Sequence, residues 1–201
     1  MNRIILASQS VGRKMLFEEY FREFIIYPSN IDEEIEASNP ARLVVELSIK
    51  KAEHVSNIFL DDFVFGFDTV VVCKGRIIGK PSTREESIEY LKFLSGKIQS
   101  VYSGYCIINL HKKIKKYGYS KTLLMFSKLS DEWIENYISN NATNLFAGGY
   151  AIQENDKFIK IIYGDRDTII GAPMKKILKI LGAMDKDLFR NESLYNLRKN
   201  F

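Results

Sequence analysis

Phe63-Val64-Phe65-Gly66-Phe67-Asp68-Thr69-Val70-Val71-Val72-Cys73 is the most apolar stretch of the chain, and its reading decides the fold. An unbroken run rich in valine and phenylalanine predicts a strand buried on both faces of a sheet. One charge interrupts it. An ionised carboxylate among apolar strand residues is costly unless compensated, so Asp68 needs a metal ion, a cation or solvent at a strand end. Immediately downstream, Lys74-Gly75 turns the chain into a second strand, Arg76 to Ile78, which Gly79-Lys80-Pro81 ends. Held between a glycine and a proline, Lys80 is placed to project its ammonium toward the mouth of the same hairpin. Two readings stand side by side there, a structural Asp68–Lys80 ion pair and a catalytic pair.

Outward from this strand, the chain alternates strands and helices. Arg3 to Ala7 reads as a short buried strand, followed by a polar turn, Ser8-Gln9-Ser10, and a helix carrying Met15, Leu16 and Tyr20. Phe24 to Tyr27 is a second strand, after which Asp32-Glu33-Glu34 begins an acidic loop. Ser38-Asn39-Pro40 announces a longer helix whose Leu43, Val44, Leu47, Ala52 and Val55 recur at helical spacing. On the other side, Ser82-x-x-Glu85 reads as a capping box for a helix with Ile88, Leu91 and Leu94 inward and Gly96 as its stop. Val101 to Leu110 and Leu123 to Phe126 resume strand character. Ser130 caps a helix with Trp133, Ile134, Tyr137 and Ile138; Phe158 to Tyr163 is a strand; a last helix begins at Pro173 and carries Ile177, Leu178 and Leu181, with a partly polar tail after Asp185. Hairpin turns and strand-helix crossovers both occur. The prediction is a single α/β domain over residues 1–201, with a mixed, twisted sheet flanked by helices.

Composition narrows the function classes. The 201 residues, 46% of them hydrophobic, are enough for a substantial core. Lys and Arg total 29 against 25 Asp and Glu, with the signs mixed along the chain, so neither a duplex-binding stripe nor a stable nucleic-acid partner is expected. The densest basic run, Lys112, Lys113, Lys115 and Lys116, reads as a solvated hairpin tip. Cys73 and Cys106 form no C-x-x-C pair and read as packed thiols, and His54 and His111 have no ligand-like spacing. No segment has the length and apolarity of a secretory core or a membrane span, which predicts a cytoplasmic protein with no membrane partner.

Two further segments could carry chemistry. Ser8, Ser10 and Arg13, on a turn that runs into a helix, offer hydroxyls, backbone N–H groups and a cation suited to a phosphate chain, although capping alone accounts for the serines. Asp32, Glu33 and Glu34 could ligate a hard cation or form a solvated loop.

The order of these pieces resembles one family, the Maf-like nucleotide pyrophosphatases, related to the septum-formation inhibitor Maf. Leu6-Ala7-Ser8-Gln9-Ser10-Val11-Gly12-Arg13 looks like the family's opening L-A-S-x-S-P-R-R, and Ile31-Asp32-Glu33 like its acidic turn. Lys51-Ala52 falls at the family's K-A, Gly66 to Val71 resembles G-A-D-T-V-V, Gly79-Lys80-Pro81 matches G-K-P and Leu94-Ser95-Gly96 matches L-S-G. Ala147 to Gln153 resembles A-G-A-Y-G-I-Q, and Gly164-Asp165 with Ile170-Gly171-Ala172-Pro173 resembles the final G-D and V-G-L-P. The resemblance extends from Ile5 to about Leu181.

It implies a Maf/ITPase-like fold with two lobes around a central cleft, and cleavage of a nucleoside triphosphate between its α and β phosphates with Mg²⁺ or Mn²⁺ bound. By the same resemblance Asp68 is the catalytic general base, although beside a metal it would act more by orienting water. Glu33 and Asp68 are the metal ligands, and Ser8, Ser10, Arg13, Lys51, Lys80 and Gln153 bind substrate. Base preference falls to Gly12, Thr69 and Gln153. Threonine and glutamine match the branch acting on dTTP and UTP, since an amide can pair with a pyrimidine edge through both a donor and an acceptor. Gly12 and Val11 depart from that branch's arginine and proline. A homodimer is also implied. The competing readings are a pyrophosphatase for 7-methyl-GTP or another modified nucleotide, and a non-catalytic nucleotide-sensing regulator of cell division.

Overall fold

A computed structural model describes residues 2–33, 39–152 and 157–182. In chain order the elements are β1 (Ile4–Leu6), α1 (Val11–Tyr20), β2 (Ile25–Ile26), α2 (Pro40–Ser56), β3 (Phe63–Cys73), β4 (Arg76–Ile78), α3 (Arg84–Leu94), β5 (Ile98–Asn109), β6 (Ile114–Phe126), α4 (Asp131–Asn140), β7 (Ile159–Tyr163), α5 (Arg166–Ile170) and α6 (Met174–Leu181). Seven strands form one mixed sheet in the order β2-β1-β3-β5-β6-β7, with β4 paired to β3. β1 runs parallel to β2 (Ile5 opposite Ile25) and to β3 (Ile4 opposite Phe63), whereas β3–β4 and β6–β7 are antiparallel. The predicted α/β class and mixed sheet are what the chain adopts. Among the described residues no helix is long and apolar enough to cross a membrane.

Two compact units form. Of the described residues, the first holds those in 2–68, 103–120 and 171–182, and the second holds those in 69–102 and 121–170. In the first, Ile5, Ala7, Ala52, Val55, Val64, Cys106 and Ile108 make one core cluster. Phe17 of α1 packs edge-on against Phe65 and Phe67 of β3, with ring centroids 5.5 and 5.8 Å away. Burying each such ring stabilises the fold by about 1.5–3 kcal/mol. The inward residues of α1 are Leu16 and Phe17, whereas Met15 is 58% exposed.

In the second unit Val71, Leu91, Leu94, Val101, Leu124, Phe126, Ile134 and Tyr150 form the core. α3 is capped one residue later than the sequence suggests. Thr83, not Ser82, accepts the N–H of Glu86, and Glu86 in turn accepts the N–H of Ser82. The cap shifts because Thr83 is the residue with extended backbone next to the first helical residue, Arg84. β6 is also longer than predicted. Of the basic run, Lys112 and Lys113 lie in the turn, as expected of a hairpin tip, but Lys115 and Lys116 belong to β6. Its first half alternates with polar, exposed residues and so carries no apolar signal. The partly polar tail expected after Asp185 lies outside the described residues.

Candidate active site

Side chains alternate across a strand, so β3 presents Phe65 and Phe67 to one face and Val64, Gly66 and Asp68 to the other. The aromatic face receives α1; Val64 packs with Ala52 and Val55 of α2. α2 follows Asn39, whose carboxamide oxygen accepts the N–H groups of Ala41 and Arg42, with Pro40 at the first helical position. Its buried stripe is Val44, Leu47, Ser48, Lys51, Ala52 and Val55, the spacing of one helical face. Lys51 therefore lies in an apolar stripe pointing at the sheet.

Two glycines let the helix come close enough for that lysine to matter. A Cβ on Gly66 would lie 2.3 Å from the carbonyl oxygen of Ser48 and 2.7 Å from the amide nitrogen of Ala52. One on Gly104 of β5 would lie 2.1 Å from the carbonyl oxygen of Val44. Only a hydrogen fits at either place, so the α2 backbone rests directly on the sheet. One helical turn beyond Ser48, and at the next same-face position of β3 after Gly66, Lys51 Nζ donates to Asp68 Oδ1 at 2.8 Å and lies 3.0 Å from Glu33 Oε1. Lys51 and Asp68 are 6% and 7% exposed, and Glu33 is exposed. A pair so far from water offsets its desolvation only through close geometry and further charges, and Glu33 supplies one.

Arg13 reaches this region from α1. Its Nε donates to the Gly171 carbonyl at 2.9 Å and its Nη1 to Ser8 Oγ at 3.1 Å, and the guanidinium stands 5.7 Å from the centre of the Phe67 ring. Burial lowers its basicity while Asp68 and Glu33 oppose that change; a guanidinium stays charged at neutral pH regardless. The two serines have distinct tasks. Ser10 is the N-cap of α1 and accepts the Arg13 N–H at 3.5 Å; Ser8 Oγ accepts both the Ser10 N–H and the Arg13 side chain. Capping accounts for Ser10, and Ser8 orients the arginine.

A family model described as Maf-like protein matches residues 3–184. This chain belongs to the Maf-like protein family. Proteins named dTTP/UTP pyrophosphatase are similar to it along nearly their whole lengths. That of Pyrococcus abyssi is 37% identical over 179 residues, covering 89% of this chain and 94% of its own. Those of Bacillus cereus strain G9842 and Ruminiclostridium cellulolyticum are 37% and 35% identical, each covering 94% of this chain and 98% or all of their own.

In this Maf-like chain the first unit thus brings together Ser8, Ser10, Arg13, Glu33, Lys51 and Asp68. Gly12 is half-buried in the first turn of α1. Lys80, exposed just past β4, and Thr69, half-buried in β3, belong to the second unit; Gln153 and Glu34 lie outside the described residues. Lys51 lies within hydrogen-bond distance of Asp68, a contact that local sequence pattern does not announce. What is legible is the need for a partner: positions 44, 47, 48, 51, 52 and 55 make one helical face, and a lysine on it needs an anion.

Among the described residues no three His, Cys, Asp or Glu side chains cluster as a complete metal site. The two carboxylates that meet at the Lys51 ammonium, Glu33 and Asp68, are oxygen donors of the kind a hard cation takes together with phosphate and water.

Proposed function

We propose that this Maf-like chain is a nucleoside triphosphate pyrophosphatase that converts dTTP and UTP to the monophosphate and pyrophosphate. One observation carries the reading: a buried aspartate on a core strand is paired with a buried lysine, with a second carboxylate and an arginine beside them. The names of relatives that match it over nearly its whole length support the substrate.

Water attacks the α-phosphorus, the bond to the β-phosphate oxygen breaks, and pyrophosphate leaves with the electron pair. Asp68 orients that water and accepts its proton. Lys51 holds the Asp68 carboxylate in place, while Arg13, fixed by Ser8 and Gly171, and Lys80 neutralise the phosphate chain. Glu33 and Asp68 would hold a Mg²⁺ or Mn²⁺ ion, which supplies charge neutralisation on the phosphates when bound. Thr69 and Gln153 are assigned to the pyrimidine edge, with Gly12 in place of a larger contact.

The test is a panel of the ordinary nucleoside triphosphates and 7-methyl-GTP, with Mg²⁺, read by pyrophosphate release. The reading requires the highest kcat/KM on dTTP and UTP. Preference for a purine or a methylated nucleotide would overturn the substrate, and binding without pyrophosphate release would establish the sensor instead.

A further inference from the structure

The loop Gly79-Lys80-Pro81-Ser82 is exposed at Lys80, yet its backbone is fastened on both sides of that lysine. Before it, the Gly79 carbonyl accepts the Gly148 N–H at 2.8 Å. After it, the Ser82 N–H donates to Glu86 Oε2 at 2.6 Å, while Glu86 Oε1 accepts the Tyr90 hydroxyl at 2.5 Å. Pro81 between them is buried.

We infer that Glu86, braced by Tyr90, is a positioning residue that holds the Lys80 loop in its working conformation. An ordinary capping residue needs one carboxylate oxygen for one helix N–H, but here both oxygens are committed. One grips the loop and the other is tied to a phenol that is itself 8% exposed and covered by the Arg76 guanidinium, 5.5 Å from its ring centre. The Ser82 N–H and then the Tyr90 hydroxyl lower the Glu86 pKa, so the carboxylate stays ionised through the neutral range. On the opposite side Gly148, at φ 75°, adopts a conformation that L side chains rarely take, and a Cβ there would lie 2.8 Å from the Tyr150 ring. A flexible lysine loses much side-chain freedom on gripping phosphate, and fixing its backbone in advance reduces what binding must still order.

The inference rests on the role of Lys80 proposed above, and a mutant cycle separates the two. KM and kcat for dTTP, and the calorimetric affinity for inorganic pyrophosphate, are measured for Lys80→Ala, Glu86→Ala, Glu86→Gln and the double variant Lys80→Ala/Glu86→Ala. Glu86→Ala raises KM and weakens pyrophosphate about tenfold with kcat changed far less, because misplacement of a binding group carries costs of that order or larger. Glu86→Gln recovers most of the loss, since its amide oxygen still accepts the Ser82 N–H and its NH2 can donate to Tyr90. In the Lys80→Ala background Glu86→Ala adds nothing beyond about twofold. Full additivity would overturn the positioning role while leaving Lys80 in place; an unaffected Lys80→Ala would overturn the phosphate role of Lys80 itself. Should Glu86→Ala fail to fold, Tyr90→Phe takes its place in the cycle, and a variant with unchanged KM and pyrophosphate affinity would sink the inference.

Discussion

Lys51 Nζ donates to Asp68 Oδ1 across 2.8 Å, and neither side chain is more than 10% exposed. The two residues are 17 apart in sequence and sit on different elements. They meet because both occupy the buried face of their own element and because Gly66 removes the side chain that would hold those elements apart. The pair exchanges stability for placement: two apolar residues would pack more cheaply, but they could not hold a carboxylate in a fixed orientation.

Lys51→Met removes one partner and leaves Asp68 buried without the ammonium that donates to it. Urea unfolding should show a loss of about 3–5 kcal/mol, and adding Asp68→Asn should return part of it. Wild-type stability in the single variant would mean that solvent reaches the carboxylate.

Asp68→Asn keeps the volume and removes the charge. Turnover of dTTP should fall about a thousandfold or more, within the range attributed to a general base, while circular dichroism stays native because Lys51 keeps Glu33 as a partner. Rates close to wild type would dismiss Asp68 from the chemistry.

Gly66→Ala forces a methyl group into the Ser48 carbonyl, and backbone cannot move aside as a side-chain tip can. A loss of about 1–3 kcal/mol is expected from overpacking, with kcat reduced because α2 carries Lys51 away from Asp68. Gly79→Ala, where nothing lies within 4 Å of the new carbon, is the stability control. Equal melting temperatures for the two variants would refute the close contact.

Burial pushes the Cys106 thiol from its ordinary 9.0 up to about 12, so the folded state favours the protonated form. A raised pKa contributes stability that is complete below the unfolded value and is lost as pH climbs through the folded one. Stability should therefore hold level up to about pH 9 and decline toward pH 12, with Tyr90, raised from 10.0 to about 12 chiefly by burial, adding to the slope above pH 10. A pH series of chemical unfolding checks this, and Cys106→Ala should make the decline shallower. The same burial predicts that neither Cys106 nor Cys73 reacts with a thiol reagent in the native protein; fast labelling would contradict it.

Much of the architecture was legible from local pattern. The β3 run, the Asn39-Pro40 start of α2, the Ser130 cap of α4 and the mixed parallel and antiparallel sheet all follow from periodicity and turn chemistry that neighbouring residues carry themselves. Asp68 stood out for the same reason, as a charge in an apolar strand. Where the local signal fades, elements are harder to read: the polar first half of β6 and the five-residue α5 carry no apolar pattern that announces them, and the α3 cap falls at Thr83 instead of Ser82.

What the amino-acid order determined by itself was the sequence of elements, the place of the buried carboxylate and the family motifs. Which cation meets that carboxylate was decided only by tertiary structure. The answer depends on which face of α2 turns to the sheet and how closely the two backbones approach at Gly66 and Gly104, and these are properties of packing between segments.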